Sequence, residues 1–219
     1  MRNYILVCLL LLSGSSIAQN FKLESGDLIF QEACPDDPDN PIKKVTNSTG
    51  NYQFTHVGIV YIDNTDQVFV LEATMPKVSL TPLTEYLYPE EAKKCYPRSV
   101  AGRLKHAYHH LIPDALETGL TLVGKDYDYG YVLNNDKYYC SELIYEIFKH
   151  ANGGKEVFSL NVMTFKSKDT DVIAKGWTAY FDQYNLPVPE GEPGINPGAM
   201  SRSDAIEFRN CFEFYPVIN

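Results

Sequence analysis

Cys140 and His56, which lie 84 residues apart, are the residues of this chain whose side chains are best suited to catalytic chemistry. Cys140 precedes apolar residues at helical spacing: Leu143, Ile144, Ile147 and Phe148. The pattern predicts that Cys140 occupies the first turn of a helix. Unpaired backbone N–H groups and the positive end of the helix dipole favour a thiolate there. A thiolate beside a base is a nucleophile, and His56 is the best candidate for that base.

A carboxylate in the second strand of a predicted hairpin supplies a third group. Residues 54–62 and 67–73 are rich in β-forming side chains and flank a turn sequence at 63–66. Pairing the strands about this turn places His56 near residue 73, which is adjacent to Glu72. The carboxylate can then hold one ring nitrogen and direct the other toward Cys140. Taken singly, a strand histidine is more often a core residue bound to a backbone carbonyl, and a strand-end glutamate more often faces water.

The remaining pattern predicts a mixed chain of strands and helices. A turn leads into a buried strand at 25–30, and a loop follows at 34–50. Further elements are predicted as a strand at 78–81, a short helix at 82–88, a strand at 96–104, a helix at 112–124, a tyrosine-rich loop at 126–139, the helix from 140 to about 150, and a short helix at 201–210. The stretch 184–197 carries many prolines and glycines and has no regular pattern.

The first 18 residues have the features of a secretory signal peptide. Arg2 precedes a short apolar stretch, and small residues lead to Ala18. The stretch is shorter than the roughly 20 apolar residues that span a membrane. We therefore expect an exported protein, periplasmic or secreted, without stable membrane insertion after cleavage. Residues 19–219 then form a single domain, whose oligomeric state the sequence does not indicate.

Charge and cysteine count limit the partners and the cross-links. The net charge of −9 and the pI near 5.0 oppose non-specific attraction to nucleic acid, which is not expected as a partner. Four cysteines follow the predicted cleavage site: Cys34, Cys95, Cys140 and Cys211. With Cys140 reserved for chemistry, the other three allow at most one disulfide and one free thiol. The sequence does not select the pair.

Two patterns that resemble metal sites are better explained otherwise. His106, His109 and His110 cluster, but no Cys or carboxylate stands at a recognisable ligand spacing, so surface histidines are the favoured interpretation. The segment that begins at Asp126 resembles a calcium loop, but its twelfth residue is Lys137 where a bidentate glutamate is needed. We expect no metal and no cofactor.

Five segments in a fixed order connect this chain to a known family. They are Gly26-Asp27-Leu28-Ile29-Phe30, Thr55-His56-Val57-Gly58-Ile59-Val60, Leu71-Glu72-Ala73, Tyr127-Asp128 and Tyr139-Cys140-Ser141-Glu142-Leu143. The chain resembles the NlpC-type papain-like cysteine peptidases and amidases, in the circularly permuted, YiiX-like branch. The histidine precedes the cysteine helix, which is the permuted order. The resemblance covers residues 21–150 well and the tail less securely.

The resemblance implies an α+β, papain-like fold, with a small antiparallel β-barrel or sheet packed against helices that include the nucleophile helix. It implies Cys140 as nucleophile, His56 as general base and Glu72 as the group that orients the histidine. The thiolate would attack an amide or ester carbonyl and form an acyl-enzyme. The backbone N–H of Cys140 is the expected oxyanion donor, and Tyr127, in preference to Tyr139, is the expected second one.

Glu142, two residues after the nucleophile, has two interpretations. A first-turn carboxylate that stabilises the helix dipole is favoured, and a ligand for a cationic substrate group near the cleft is the alternative.

Three functions fit the sequence. The leading hypothesis is an exported cysteine hydrolase that cleaves an amide bond in a cell-wall peptide or a related small amide. The second is a lipid amide or ester hydrolase, or an acyltransferase, because the permuted branch also resembles lecithin:retinol acyltransferase-like proteins. The third is a non-catalytic ligand-binding module on the same fold. An apolar cleft beside Cys140 would favour lipids, whereas a polar cleft closed at one end would favour peptides.

Overall fold

The computed structural model describes residues 22–33, 40–89, 97–167 and 170–214, apart from the side chains of 209–214. The predicted signal peptide, Cys34 and Cys95 lie outside the described residues, and so does the side chain of Cys211. Cys140 is a buried free thiol.

An antiparallel sheet of six strands forms the centre of the described structure. The described residues form eight strands in all, six in this sheet and two in a separate pair: β1 (Leu28–Glu32), β2 (Phe54–Ile62), β3 (Val68–Thr74), β4 (Lys77–Pro82), β5 (Ser99–Leu104), β6 (Asn161–Val162), β7 (Pro193–Gly194) and β8 (Ile206–Phe214). The large sheet has the order β4-β3-β2-β1-β5-β8, and β6 and β7 pair separately. Of the barrel and the sheet that the family resemblance allowed, the described strands form the sheet, which is open at β4 and β8.

Helices pack on this sheet and position the cysteine. They are α1 (Pro41–Val45), α2 (Leu83–Leu87), α3 (Ile112–Thr121), α4 (Cys140–Ala151), α5 (Lys175–Tyr184) and α6 (Pro197–Ser201), with a 3-10 helix at His106–Leu111. Helix α4 contacts β2, β3 and α3. No helix in the described parts of the chain combines the length and apolarity that crossing a membrane requires.

Strand β2 is buried on both faces along most of its length. Val57 and Ile59 belong to the larger core, which also contains α4 residues such as Leu143. Val60 belongs to a smaller core with Val70 and residues of α2. The strand that carries His56 is therefore held between two packed layers.

The register of the β2–β3 hairpin differs by one residue from the approximate pairing that the turn predicted. Ile59 pairs with Leu71 and Tyr61 with Phe69. Because side chains alternate between faces, the predicted register would have put His56 and Glu72 on opposite faces, and the observed one puts them on the same face. Gly58 stands against Glu72, and a Cβ added to this glycine would come within 3.3 Å of the Glu72 Cβ.

The tail also differs from its prediction. The short helix predicted at 201–210 is wrong, because α6 ends at Ser201 and β8 begins at Ile206. Strand β8 pairs with β5 and stacks Phe208 against core aromatic rings at 5.4 to 5.9 Å, a non-local contact that has no local pattern. The predicted loop at 34–50 contains α1, and α5 was not predicted.

Candidate active site

Cys140 is the first residue of α4, as the apolar spacing predicted. Its backbone N–H therefore has no acceptor within the helix, and it is available to a ligand. The residue is 6% exposed and lines a cavity. The preceding residue, Tyr139, has extended backbone geometry and donates its N–H to the carboxylate of Glu142 at 3.2 Å, which fixes the start of the helix.

His56 and Glu72 are joined by a short hydrogen bond on one face of the sheet. The Nε2 of His56 lies 2.5 Å from the Oε2 of Glu72, and the two side chains are 23% and 7% exposed. The hydroxyl of Thr81 donates to the other carboxylate oxygen at 2.7 Å. Sequence reasoning missed Thr81, although its place in the strand after Glu72 is a usable signal because neighbouring strands share faces.

Cys140 lies close enough to the His56 ring to influence its charge, and both residues line the same cavity. Because Nε2 is bound to Glu72, Nδ1 is the ring nitrogen left for the thiol. Burial opposes a charged ring, but the interactions with Cys140 and Glu72 outweigh burial and raise the pKa of His56 from 6.5 to about 10. The environment therefore favours imidazolium beside the sulfur.

Tyr86 packs against His56 from α2, and sequence reasoning did not single it out. The two ring centroids are 5.8 Å apart, and the hydroxyl of Tyr86 donates to the carbonyl of Ile29 at 2.8 Å. The carbonyl of Tyr86 accepts the side-chain amide of Gln31 at 2.8 Å. These bonds hold the ring that limits the rotation of the imidazole.

The cavity beside Cys140 has a volume of about 370 Å³. Within the described part of the chain, no Asp, Glu, Lys or Arg lines it. Its polar groups are His56, hydroxyls such as those of Thr55 and Thr74, and the amide of Asn196. The apolar part of the lining includes Ile42, Val45, Met163, Phe165, Trp177 and Ile195.

Tyr127 and Tyr139, the two predicted oxyanion donors, both line this cavity. The hydroxyl of Tyr127 lies 3.3 Å from that of Tyr131, another lining residue. The hydroxyl of Tyr139 accepts the backbone N–H of Ile195 at 3.2 Å. Burial raises the pKa of Tyr127 well above 10, so its phenol keeps its proton and can donate.

Asp128 shapes the loop that carries Tyr131. Its two carboxylate oxygens accept the N–H groups of Gly130 and Val132 at 2.8 and 2.6 Å. Between them, Tyr131 has a φ of 54°, in the left-handed region that a tyrosine rarely adopts. Its ring packs against aromatic residues of α5, including Trp177.

Glu142 lies at the helix start and is absent from the described residues that line the cavity. It is 1% exposed. Burial raises its pKa to about 9, with nearby acidic groups adding to the shift and the bond from the Tyr139 N–H opposing it. At neutral pH the carboxyl is therefore mostly protonated and serves as a neutral helix cap.

The histidine cluster lies apart from these groups. His109 is bound to the carbonyl of Leu104 at 2.7 Å, and its ring packs against that of His106. Within the described residues, no group of three or more His, Cys, Asp or Glu side chains could hold a metal ion.

Comparison with known proteins places this geometry in a family. The family model for permuted papain-like amidases of the YaeF/YiiX type, family C92, matches residues 22–208. The chain belongs to this family. The uncharacterized protein YiiX of Escherichia coli K12 is 26% identical over 219 residues, which is the full length of both chains.

A solved structure agrees with the fold. The crystal structure of YiiX from Escherichia coli O157:H7, described as a metalloprotein, superposes with a TM-score of 0.69. It covers 90% of this chain and 100% of its own, at 20% identity, a level that supports the fold alone. The permuted papain-like fold inferred from the sequence is confirmed, and the general class of the family is cysteine hydrolase or amidase.

Proposed function

We propose that this protein is a cysteine amidase in which Cys140 is the nucleophile, His56 the general acid and base, and Glu72 the group that orients His56. The observation that carries the proposal is the 2.5 Å hydrogen bond between His56 and Glu72 beside a thiol at a helix start, with Cys140 and His56 lining one cavity. A histidine held only for stability would not need a thiol beside its ring.

The reaction follows from the protonation state of the pair. His56 holds the thiol proton, and the Cys140 sulfur attacks the carbonyl carbon of the substrate to form a C–S bond. As the tetrahedral intermediate collapses, His56 gives that proton to the leaving amine and the C–N bond breaks. Water then attacks the thioester, loses a proton to His56, and releases the acid with return of the thiol.

The developing oxyanion would lie near the start of α4. The free N–H of Cys140 is one donor, and the phenol of Tyr127 is the favoured second donor. Tyr139 is the weaker candidate because its hydroxyl already accepts the N–H of Ile195.

We further propose that the substrate carries an apolar acyl group, as in a lipid amide or ester. The support is the cavity, which has apolar and aromatic walls and no acidic or basic side chain from the described residues. A cell-wall peptide is the second candidate, because hydroxyls of Thr55 and Thr74 and the amide of Asn196 could pair with a peptide backbone. We propose that the enzyme acts after export, on the basis of its first 18 residues.

No metal step is part of the proposal. Among the described residues, no three His, Cys, Asp or Glu side chains are grouped so that they could hold a metal ion. The residues of this site therefore do not offer a ligand set for a metal.

Mass spectrometry of the acyl-enzyme tests the proposal. The protein is incubated with N-acyl amino acids of rising chain length and, separately, with cell-wall peptides, and digests are searched for an acyl adduct on Cys140. We expect an adduct that strengthens with chain length and is absent in Cys140→Ala. An adduct from peptides alone would select the second candidate. Absence of any adduct and of any turnover, with substrate still bound, would reject the enzyme and favour a binding module.

A further inference from the structure

Both neighbours of Cys140 are hydrogen-bonded to one residue of the tail. The hydroxyl of Tyr139 accepts the N–H of Ile195 at 3.2 Å, and the hydroxyl of Ser141 donates to the carbonyl of Ile195 at 2.9 Å. All three residues are at most 1% exposed. We call this pair of hydrogen bonds the Ile195 clamp. It binds a segment 54 residues away to the two sides of the cysteine.

The segment held by the clamp forms part of the cavity wall. The side chain of Ile195 and the two residues that follow it line the cavity. Strand β7, directly before Ile195, pairs with β6, and the N–H of Met163 donates to the carbonyl of Glu192 at 2.8 Å. The carboxylate of Glu190 accepts the N–H of Phe165 at 2.7 Å. The lining residues at 163–165 are therefore tied to the same segment.

The tail backbone approaches Tyr139 closely, and this close approach depends on a glycine, Gly194. A Cβ added to Gly194 would lie 2.6 Å from the Cγ of Met163 and 3.1 Å from the hydroxyl of Tyr139. Such distances leave no room for a side chain without displacing one of these groups. The tail is thus packed directly on the tyrosine that precedes Cys140.

We infer that Tyr139 and Ser141 are positioning residues, which hold the apolar wall at 163–165 and 195–197 in a fixed place relative to the sulfur of Cys140. Substrate then meets a wall that cannot move independently of the nucleophile. This deepens the proposed function, on which it rests in taking the cavity as the site of the acyl group. The clamp leaves the contact between His56 and the thiol untouched, so its loss should impair alignment of a chain and spare the reactivity of the thiol.

Two alkylating reagents of the same chemistry separate these effects. Iodoacetamide requires only a reactive thiol, whereas N-octyl iodoacetamide must also place its chain along the wall. Neither reaction forms an oxyanion, so a lost oxyanion donor cannot imitate the result. Rates are measured on the peptide that contains Cys140, by mass spectrometry, in the full protein and in Ser141→Ala and Tyr139→Phe.

We expect each variant to lower the ratio of the octyl rate to the iodoacetamide rate by about fivefold, as for one lost hydrogen bond. The iodoacetamide rate should stay within about twofold, because the thiol keeps its histidine. Ser201→Ala and Tyr145→Phe are matched controls. They remove hydroxyls that are also buried and hydrogen-bonded, at Gly198 and Glu156, and they should leave the ratio unchanged.

Ratios that are the same in the Ser141 and Tyr139 variants as in the controls would overturn the inference, and so would a wild-type ratio equal to that of free cysteine. Equal losses with both reagents would also overturn it, because they would mean general damage to the site. If one variant does not fold, the other decides. Turnover is measured separately. If the wild type shows no turnover while the variants still lower the ratio of the two alkylation rates, the proposed amidase activity is rejected and the role of the Ile195 clamp is supported.

Discussion

The two sides of the cavity are held by different forces. On the sheet side, His56, Glu72 and Thr81 are joined by hydrogen bonds of 2.5 and 2.7 Å, with charge on the ring and the carboxylate. On the tail side, apolar and aromatic residues pack together and the Ile195 clamp supplies neutral hydrogen bonds. Charged groups act on reacting atoms, and apolar surface binds substrate. The comparison predicts that changes on the sheet side alter kcat, and changes on the tail side alter KM.

The largest effect is expected from the histidine. His56→Ala removes the side chain that holds and returns the proton in the proposed reaction, and we expect kcat/KM to fall by at least about 10³-fold. Turnover of the best acyl amide in the substrate series, measured at pH 7, checks this.

His109→Ala is the matched control, since His109 is also hydrogen-bonded but lies outside the cavity lining. It should keep activity near the wild-type value. Equal activity in the two variants would contradict the assignment of His56.

Glu72→Gln should lower kcat by about 10²-fold at neutral pH, because the charge that supports the imidazolium is lost. It should also change the pH profile. The raised pKa of His56, about 10, keeps the ring protonated as pH rises past 6.5, so activity should be retained until pH approaches 10. Without the carboxylate charge, the alkaline limb should move toward neutral pH. Profiles of kcat/KM from pH 5 to 11 check this.

Thr81→Val keeps the carboxylate charge and removes only its hydrogen bond. The alkaline limb should therefore move less in this variant than in Glu72→Gln. If the alkaline limb of the pH profile does not move in Glu72→Gln, Glu72 has no part in keeping His56 protonated.

On the tail side, Trp177→Phe should act on binding. Trp177 lines the cavity and donates its indole N–H to the carbonyl of Pro41 at 3.1 Å, which ties α5 to α1. We expect KM for a long-chain substrate to rise about fivefold with kcat nearly unchanged, and the free energy of unfolding to fall by about 2 kcal/mol. Steady-state kinetics and urea unfolding measure the two effects.

A core substitution away from the cavity serves as the control for Trp177→Phe. Phe148→Leu loses packing against Phe158 within the core and should destabilise the protein without raising KM. A similar rise in KM in both variants would mean that general loosening, and not the wall, controls binding.

The smallest effect on activity is expected at the other buried glutamate. Glu142→Gln replaces a mostly protonated carboxyl with a neutral amide, and kcat/KM should change by less than about twofold. A rise in KM confined to cationic substrates would instead support the alternative substrate-binding role of Glu142.

The pH dependence of stability should differ between the wild type and Glu142→Gln more clearly than activity does. Its pKa is raised in the folded state to about 9 from 4.5, so the folded protein binds more protons between these values and its stability falls as pH rises. The free energy of unfolding of Glu142→Gln should therefore lose less than that of the wild type from pH 4.5 to 9. Parallel pH dependence in the two proteins would contradict this.

The helix start and the first hairpin could be predicted from the sequence because their determinants are local. Helical spacing placed Cys140 at the first position of α4, and the turn at 63–66 separated β2 from β3. The sequence of the tail gave a weaker indication of its secondary structure. Phe208 lies in a strand, where its ring packs against core rings that are distant in sequence.

By itself, then, the sequence determined which residues could carry the chemistry, since a thiol at a helix start and a histidine and a glutamate in neighbouring strands are set by local periodicity. The tertiary structure decided how they meet. The observed pairing of β2 with β3 puts His56 and Glu72 on the same face, and burial makes Glu142 a neutral cap. The tail became a cavity wall through hydrogen bonds at Ile195, because contacts between distant segments depend on packing that no local pattern encodes.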